Sequence, residues 1–350
     1  MVNRFEQNPI LRTADIRPSH PGLVVECVLN PGVFSFAGKT WLLLRVAERP
    51  VQQEGKVSFP VMRDDGSLKI MEFDRNDPDV DLSDARFVRY RKVSYLSTIS
   101  HLRLVCSDDG VHFYEPTGQQ PTKIFGHGDL ESFGIEDCRV CRIDGAYHLT
   151  FTQVSDHGVG VGLMRTSDWQ QFTRAGMILP PHNKDCALFE EQIDGRYYCL
   201  HRPSGVELGG NFIWIATSPD LKHWGGHRCI LHTREGMWDS ARVGAGAAPI
   251  KTSEGWLEIY HGADFNHRYC LGAVLLDLKD PSNVLARSVE PLMEPIAPYE
   301  QQGFFGNVVF TNGHLVAGDT ITMYYGASDE VICGATLSVN EVLSHLKATA

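Results

Sequence analysis

Two carboxylates and a guanidinium stand within four residues in Gly134-Ile135-Glu136-Asp137-Cys138-Arg139. Side chains along a strand alternate between its faces. Asp137 and Arg139 are therefore expected on one face, with Glu136 and Cys138 on the other. An acid and a cation sharing one face suit a site that handles a charged or sugar-like substrate, whereas from these six residues alone a surface salt bridge would be the better reading. What favours chemistry is the set of polar residues that recurs at matching places in a repeated strand pattern: Asn30 and Arg45, Lys184 and Asp185, Arg202, Arg242, His261, Asn307 and Asp329. Arg202 and His261 end core-type strands, where a charged group needs a partner. Arginine offers planar donors that match phosphate oxygens, so Arg202 and Arg242, with His261, are the candidate anion pocket. Asp137 and Asp329 are the candidates for holding sugar hydroxyls, and one of them for donating a proton.

The elements that must position these residues are short strands. β-Branched and aromatic runs punctuated by Gly, Asp and Asn dominate the chain, and long helical periodicity is nearly absent, which reads as all-β. One unit recurs: an apolar strand, a turn with glycine, then a more aromatic strand. Its turns fall at Gly38, Gly145, Gly195, Gly255 and Gly318. Five such units predict a five-bladed β-propeller, because a single blade cannot cover both of its faces; a β-sandwich is the rival. In a propeller the innermost strands line one channel, so polar residues far apart in sequence converge. The expected organisation is a single domain over residues 1–350, with residues 49–93 inserted in the first blade. That insertion is charged and reads as a hairpin plus loop, either covering one mouth or an inert surface excursion. Ser338-Val339-Asn340-Glu341 has the spacing of a capping box and predicts a short C-terminal helix on the outside.

The 350 residues are 43% hydrophobic and 21% charged, an ordinary globular composition for one large or two smaller domains. A net charge of −11 without a basic stripe argues against nucleic acid as a partner. No secretory signal and no apolar run of membrane-spanning length is visible. The nine cysteines read as reduced core residues, so a cytoplasmic location is expected. Cys138 and Cys141 form one C-x-x-C spacing, a weak zinc or redox signal without a second pair. The histidines do not cluster at ligand spacing, and no metal or other cofactor is expected. Gly244-Ala245-Gly246 supplies bare backbone beside Arg242 but lacks the Lys-Ser/Thr ending of a P-loop, and reads as a tight strand entry. The sequence is compatible with a homo-oligomer.

Taken in order, Gly134-Ile135-Glu136-Asp137-Cys138-Arg139, Asn183-Lys184-Asp185, Leu200-His201-Arg202-Pro203, Gly244-Ala245-Gly246, Ile259-Tyr260-His261-Gly262 and Tyr325-Gly326-Ala327-Ser328-Asp329 resemble the motif series of glycoside hydrolase family 130. Members are five-bladed propellers, mostly inverting β-mannoside phosphorylases. Within the family, Ser97 to Leu102 and Trp256 to Asp264 look most like the β-1,2-mannobiose and β-1,2-oligomannan phosphorylases. The resemblance implies that Asp137 is the proton donor, acting through the mannose 3-hydroxyl. It implies that Asn30, Arg45 and Asp329 hold the non-reducing mannose. Lys184 and Asp185 would lie near the acceptor sugar and phosphate, and Arg202, Arg242, His261 and Tyr269 would bind phosphate. The implied partners are a mannoside and inorganic phosphate as co-substrate, with α-mannose 1-phosphate as product. An anionic nucleophile needs no general base, whereas inverting hydrolysis needs a second carboxylate. The alternatives are an inverting β-mannosidase with Glu190 or Glu191 as base, and a non-catalytic glycan-binding propeller.

Overall fold

The computed structural model describes residues 2–63, 65–84, 86–205 and 209–348. The repeated turns explain the strand pairs. Ala37-Gly38, Asp144-Gly145 and Asp194-Gly195 each place two consecutive residues at positive φ, for example 50° and 79° at Asp144-Gly145. That geometry matches the twist of the flanking strands. Each pair then adds further antiparallel strands, giving five larger sheets among the described residues. The first comprises Leu23–Phe36, Lys39–Pro50, Ile99–Ser107 and Lys123–Ile124; the second, Ile135–Ile143, Ala146–Ser155, Gly158–Thr166 and Thr173–Leu179. The third is Asn183–Leu188, Tyr197–Pro203, Ile213–Ser218 and Gly225–Leu231. The fourth contains Arg242–Gly244, Ile250–Lys251, Trp256–Ala263, Tyr269–Leu276 and Val284–Arg287. The fifth is Val309–Ala317, Thr320–Ala327, Val331–Ser338 and, unforeseen from sequence, the N-terminal strand Asn3–Arg4. Asn3 pairs with Thr336 and Arg4 with Ala335, so the chain's start completes its last sheet.

Every sheet buries both faces, which is why whole strands such as Ala146–Ser155 and Trp256–Ala263 are covered end to end. Phe34, Leu43 and Leu104 of the first sheet pack on Ile135, Leu149 and Trp169. Cys141 and Leu163 of the second meet Cys186 and Cys199 of the third. Leu200 and Ile215 of the third meet Trp256 and Val274 of the fourth. Ile259 and Ala273 of the fourth meet Met323 and Tyr325 of the fifth. The fifth packs back on the first through Tyr324 and Ile332 against Val28, Leu42 and Leu44. Such contact on both faces removes about 25 cal/mol of cost per Å² of apolar surface from water. The fold is thus all-β with a short C-terminal helix.

That helix, Val339–Ala348, begins as its sequence suggests: the Glu341 N–H donates to Ser338 Oγ at 3.1 Å. It is more than an external addition, because Val342, Leu343 and Leu346 are buried in the core between the fourth and fifth sheets. The insertion also differs from a hairpin plus loop. The hairpin Lys56–Met62 with Leu68–Asp74 is followed by three short paired strands, Val80–Asp81, Phe87–Tyr90 and Val93–Leu96, so the segment runs to Leu96, past its expected end at 93. Phe59, Phe73, Val88 and Tyr95 give this segment a small core of its own, which ordinary loops lack.

Candidate active site

The edge strands Leu23–Phe36, Ile135–Ile143 and Asn183–Leu188, the first in chain order of the first three sheets, share one irregularity. Their register against the second strand slips between Leu29 and Gly32, between Glu136 and Arg139, and between Lys184 and Ala187. Inside each slip a polar residue adopts positive φ: Asn30 at 27°, Asp137 at 48° and Asp185 at 53°. Asparagine and aspartate tolerate this left-handed region better than other side chains with a Cβ. A bulge inserts one residue and re-aims its neighbours, so strict alternation fails here. Glu136 and Asp137 both line one cavity, as do Lys184 and Asp185. Arg139, expected beside Asp137, turns away from the cavity and is buried. In the fifth sheet the slip falls at Asn312, whose Nδ2 donates to the Asn30 carbonyl at 3.2 Å. Asn307 lies outside the cavity lining and offers its backbone carbonyl to the Tyr269 N–H at 2.9 Å.

The cavity measures about 830 Å³ and is lined by Asn30, Arg45, Asp137, Lys184, Asp185, Arg202, Arg242, Tyr269 and Asp329 among others. On one side Arg45 is the organiser. Its Nη1 donates to Asp137 Oδ1 at 3.2 Å, its Nη2 to Glu136 Oε1 at 2.8 Å and its Nε to Ser100 Oγ at 3.0 Å. Asn30 Nδ2 adds a bond to Asp137 Oδ1 at 3.1 Å. Burial pushes the Asp137 carboxyl up, but Arg45, then Arg139 and Lys184, outweigh it and leave it below the ordinary range. Asp329, half-buried nearby, behaves oppositely. Burial and the Asp137 charge raise it to about 6 against the pull of Arg45. Two neighbouring carboxyls thus divide their affinities, the usual outcome where like charges share a site.

The other side is cationic. Arg202 Nε donates to Asp185 Oδ2 at 2.6 Å and its Nη1 to Asn211 Oδ1 at 2.7 Å. Arg242 Nη1 donates to the Tyr269 hydroxyl at 2.8 Å, while its Nε has no protein acceptor. Among the described residues neither Arg242 nor Lys184 has a carboxylate within ion-pair distance. His261 does not reach the cavity. It is fully buried, with Nε2 3.4 Å from Asp185 Oδ2, and burial lowers its imidazole to about 4. The expectation that it meets an anion directly is thereby corrected: a neutral ring backs Asp185. Gly244 makes this possible, since a Cβ there would stand 2.4 Å from Asp185 Oδ2 and 2.5 Å from His261 Nε2.

Several lining residues carry no signal in the repeat. Arg86, Phe87 and Tyr95 come from the insertion, and Phe304 and Phe305 from the segment before the fifth sheet. The Arg86 guanidinium lies 5.7 Å from the Phe305 ring centre, so the insertion reaches across the cavity mouth. Glu190 and Glu191, the carboxylates that a hydrolytic base would require, are exposed and outside the lining, and Glu191 pairs with Lys251.

Comparisons with known proteins bear on the chain as a whole. The model of glycoside hydrolase family 130, described as beta-1,4-mannooligosaccharide phosphorylase, matches residues 82–348. A beta-1,2-mannobiose phosphorylase of Listeria innocua is 42% identical over 100% of this chain and 99% of its own length. A 1,2-beta-oligomannan phosphorylase of a Thermoanaerobacter species is 42% identical over 71% of this chain and 82% of its own. The solved complex of the Listeria innocua enzyme with beta-1,2-mannobiose superposes with a TM-score of 0.95, covering 99% of both chains. With the family model spanning most of its residues and a full-length relative at this identity, the chain belongs to glycoside hydrolase family 130.

Proposed function

We propose that this protein is an inverting phosphorylase of β-1,2-linked mannobiose or mannooligosaccharides, releasing α-mannose 1-phosphate and mannose or a shortened chain. The observation that carries the proposal is the cavity's asymmetry: one carboxyl pair held by Arg45 faces a wall where Arg242 and Lys184 lack counter-ions. An anionic co-substrate supplies the missing charge. In this reading a phosphate oxygen held by Arg202, Arg242 and Tyr269 attacks the anomeric carbon. The glycosidic C–O bond breaks, and Asp137 delivers a proton to the departing oxygen through the mannose 3-hydroxyl. Asn30, Arg45 and Asp329 hold the non-reducing mannose, and Lys184 and Asp185 stand between acceptor sugar and phosphate. Arg45 and the neighbouring cations favour the ionised carboxylate of Asp137, so the proton it delivers enters with the co-substrate: dihydrogen phosphate gives one proton to Asp137 and attacks as hydrogen phosphate, leaving the departing sugar protonated and the product as mannose 1-phosphate. No cofactor enters this reaction.

The fold reading is a single domain of five blades, supported by five interfaces that include one between the fifth and first sheets. Nine free cysteines fit a cytoplasmic enzyme; no helix of the described chain is long and apolar enough to cross a membrane. Linkage rests on two relatives whose names specify β-1,2. The test is incubation with β-1,2-mannobiose with and without inorganic phosphate. Mannose 1-phosphate should form only with phosphate; cleavage to free mannose in phosphate-free buffer would overturn the assignment.

A further inference from the structure

Arg139 is the cation that the sequence places beside the acid, yet it contributes nothing to the cavity wall. It is 2% exposed and its guanidinium is bonded to three separate stretches of chain at once. Nη1 donates to the Asp137 carbonyl at 2.9 Å within its own sheet. Nη2 donates to Asp185 Oδ1 at 3.2 Å in the third sheet and to the Ala245 carbonyl at 2.9 Å, just past the Arg242–Gly244 strand of the fourth. Nε donates to the Gly246 carbonyl at 2.8 Å. The same Gly246 peptide is held at its other end by Glu258, whose Oε1 accepts the N–H at 2.7 Å from a fully buried position. Asp185 then passes the constraint to Arg202 through a 2.6 Å bond.

We propose that Arg139 is a positioning residue that sets the separation between the Asp137 acid and the Arg202 anion-binding arm. This rests on the function proposed above. The slip at Asp137 leaves a bulge whose carbonyl accepts from Arg139, and the residue holds a left-handed φ that costs about 1–2 kcal/mol. A planar fork fastens that carbonyl and the Asp185 carboxylate in one piece. Lysine, with a single point charge on a flexible stem, cannot reproduce four bonds in fixed directions. Misplacement of a reacting group by about 1 Å can cost on the order of 100-fold in rate.

Arg139→Lys is therefore expected to fold with a cooperative melt, to lose roughly 10- to 100-fold in kcat per folded molecule, and to raise the phosphate KM several-fold. The mannobiose KM should change less. A merely structural role predicts activity that tracks the folded fraction, with kcat per folded molecule and phosphate KM unchanged; that result would overturn the proposal. Should Arg139→Lys not fold, Glu258→Met releases the Gly246 peptide while keeping Arg139. The same shift in kcat and phosphate KM is expected, and unchanged constants would overturn the proposal. Arg202→Lys, measured alongside, separates the two layers. An unchanged phosphate KM in that variant sinks the anion-pocket assignment and the coupling built on it. A raised KM there, with normal constants in Arg139→Lys, sinks the positioning role alone.

Discussion

Replacing Asp329 with asparagine should stabilise this protein at neutral pH while harming its activity. Asp329 stands at about 6 in the folded chain against an ordinary value of 3.8, mainly through burial and then the neighbouring Asp137 charge. A carboxyl raised in this way binds its proton more tightly when folded, so stability falls as pH rises from 3.8 to about 6 and stays low above that. The shift corresponds to about 3 kcal/mol at most. Asp329 is only half-buried, and solvent screening reduces this to on the order of 1–2 kcal/mol. Asparagine removes the charge but keeps the volume. Thermal melts of both proteins should therefore show the variant a few degrees more stable near pH 7.5, with the gap narrowing toward about pH 4.5, where wild-type Asp329 is protonated in the folded state. Phosphorolysis should fall in the same variant, as the sugar-holding role proposed for Asp329 requires: a carboxylate kept there at a cost in stability would be exchanging stability for function. A gap that is absent, reversed, or unchanged across that pH range would refute the reasoning.

Asp137→Asn should cut kcat by about 100- to 10,000-fold, the usual span for a lost general acid. Calorimetric affinity for β-1,2-mannobiose should stay within a few-fold, and turnover close to wild type would remove Asp137 from its role. Gly244→Ala forces a Cβ to within 2.4 Å of Asp185 Oδ2, so the phosphate KM should rise several-fold at an overpacking cost of about 1–3 kcal/mol. Unaltered phosphate kinetics in that variant would mean that the Asp185 and His261 arrangement is not what shapes the anion wall.

Much of the architecture is legible because its signals are local. A turn such as Asp144-Gly145 needs only two residues that accept positive φ, and an apolar run between two turns becomes a strand buried on both faces. The capping residue Ser338 likewise announces the C-terminal helix within one turn. The motif series also contained several of the residues that line the cavity, Asp137, Lys184, Asp185, Arg202 and Asp329 among them, whereas its His261 and Arg139 lie behind it. Less legible were side-chain directions at the bulges. Alternation pairs Asp137 with Arg139, but one extra residue in the strand sends Arg139 into the core and brings Glu136 to the cavity.

Sequence alone determined the chemical inventory: which residues carry acid, cation and turn, and that five similar strand units exist to hold them. Tertiary structure decided which of them touch. His261 carries the same formula whether it meets an anion or backs Asp185, and only burial behind Gly244 makes it the second. The cavity roof of Arg86, Tyr95 and Phe305 likewise joins segments with no shared period. Their meeting depends on how an inserted segment folds on its own small core and docks across the sheets, and that is a matter of long-range packing rather than of any local pattern.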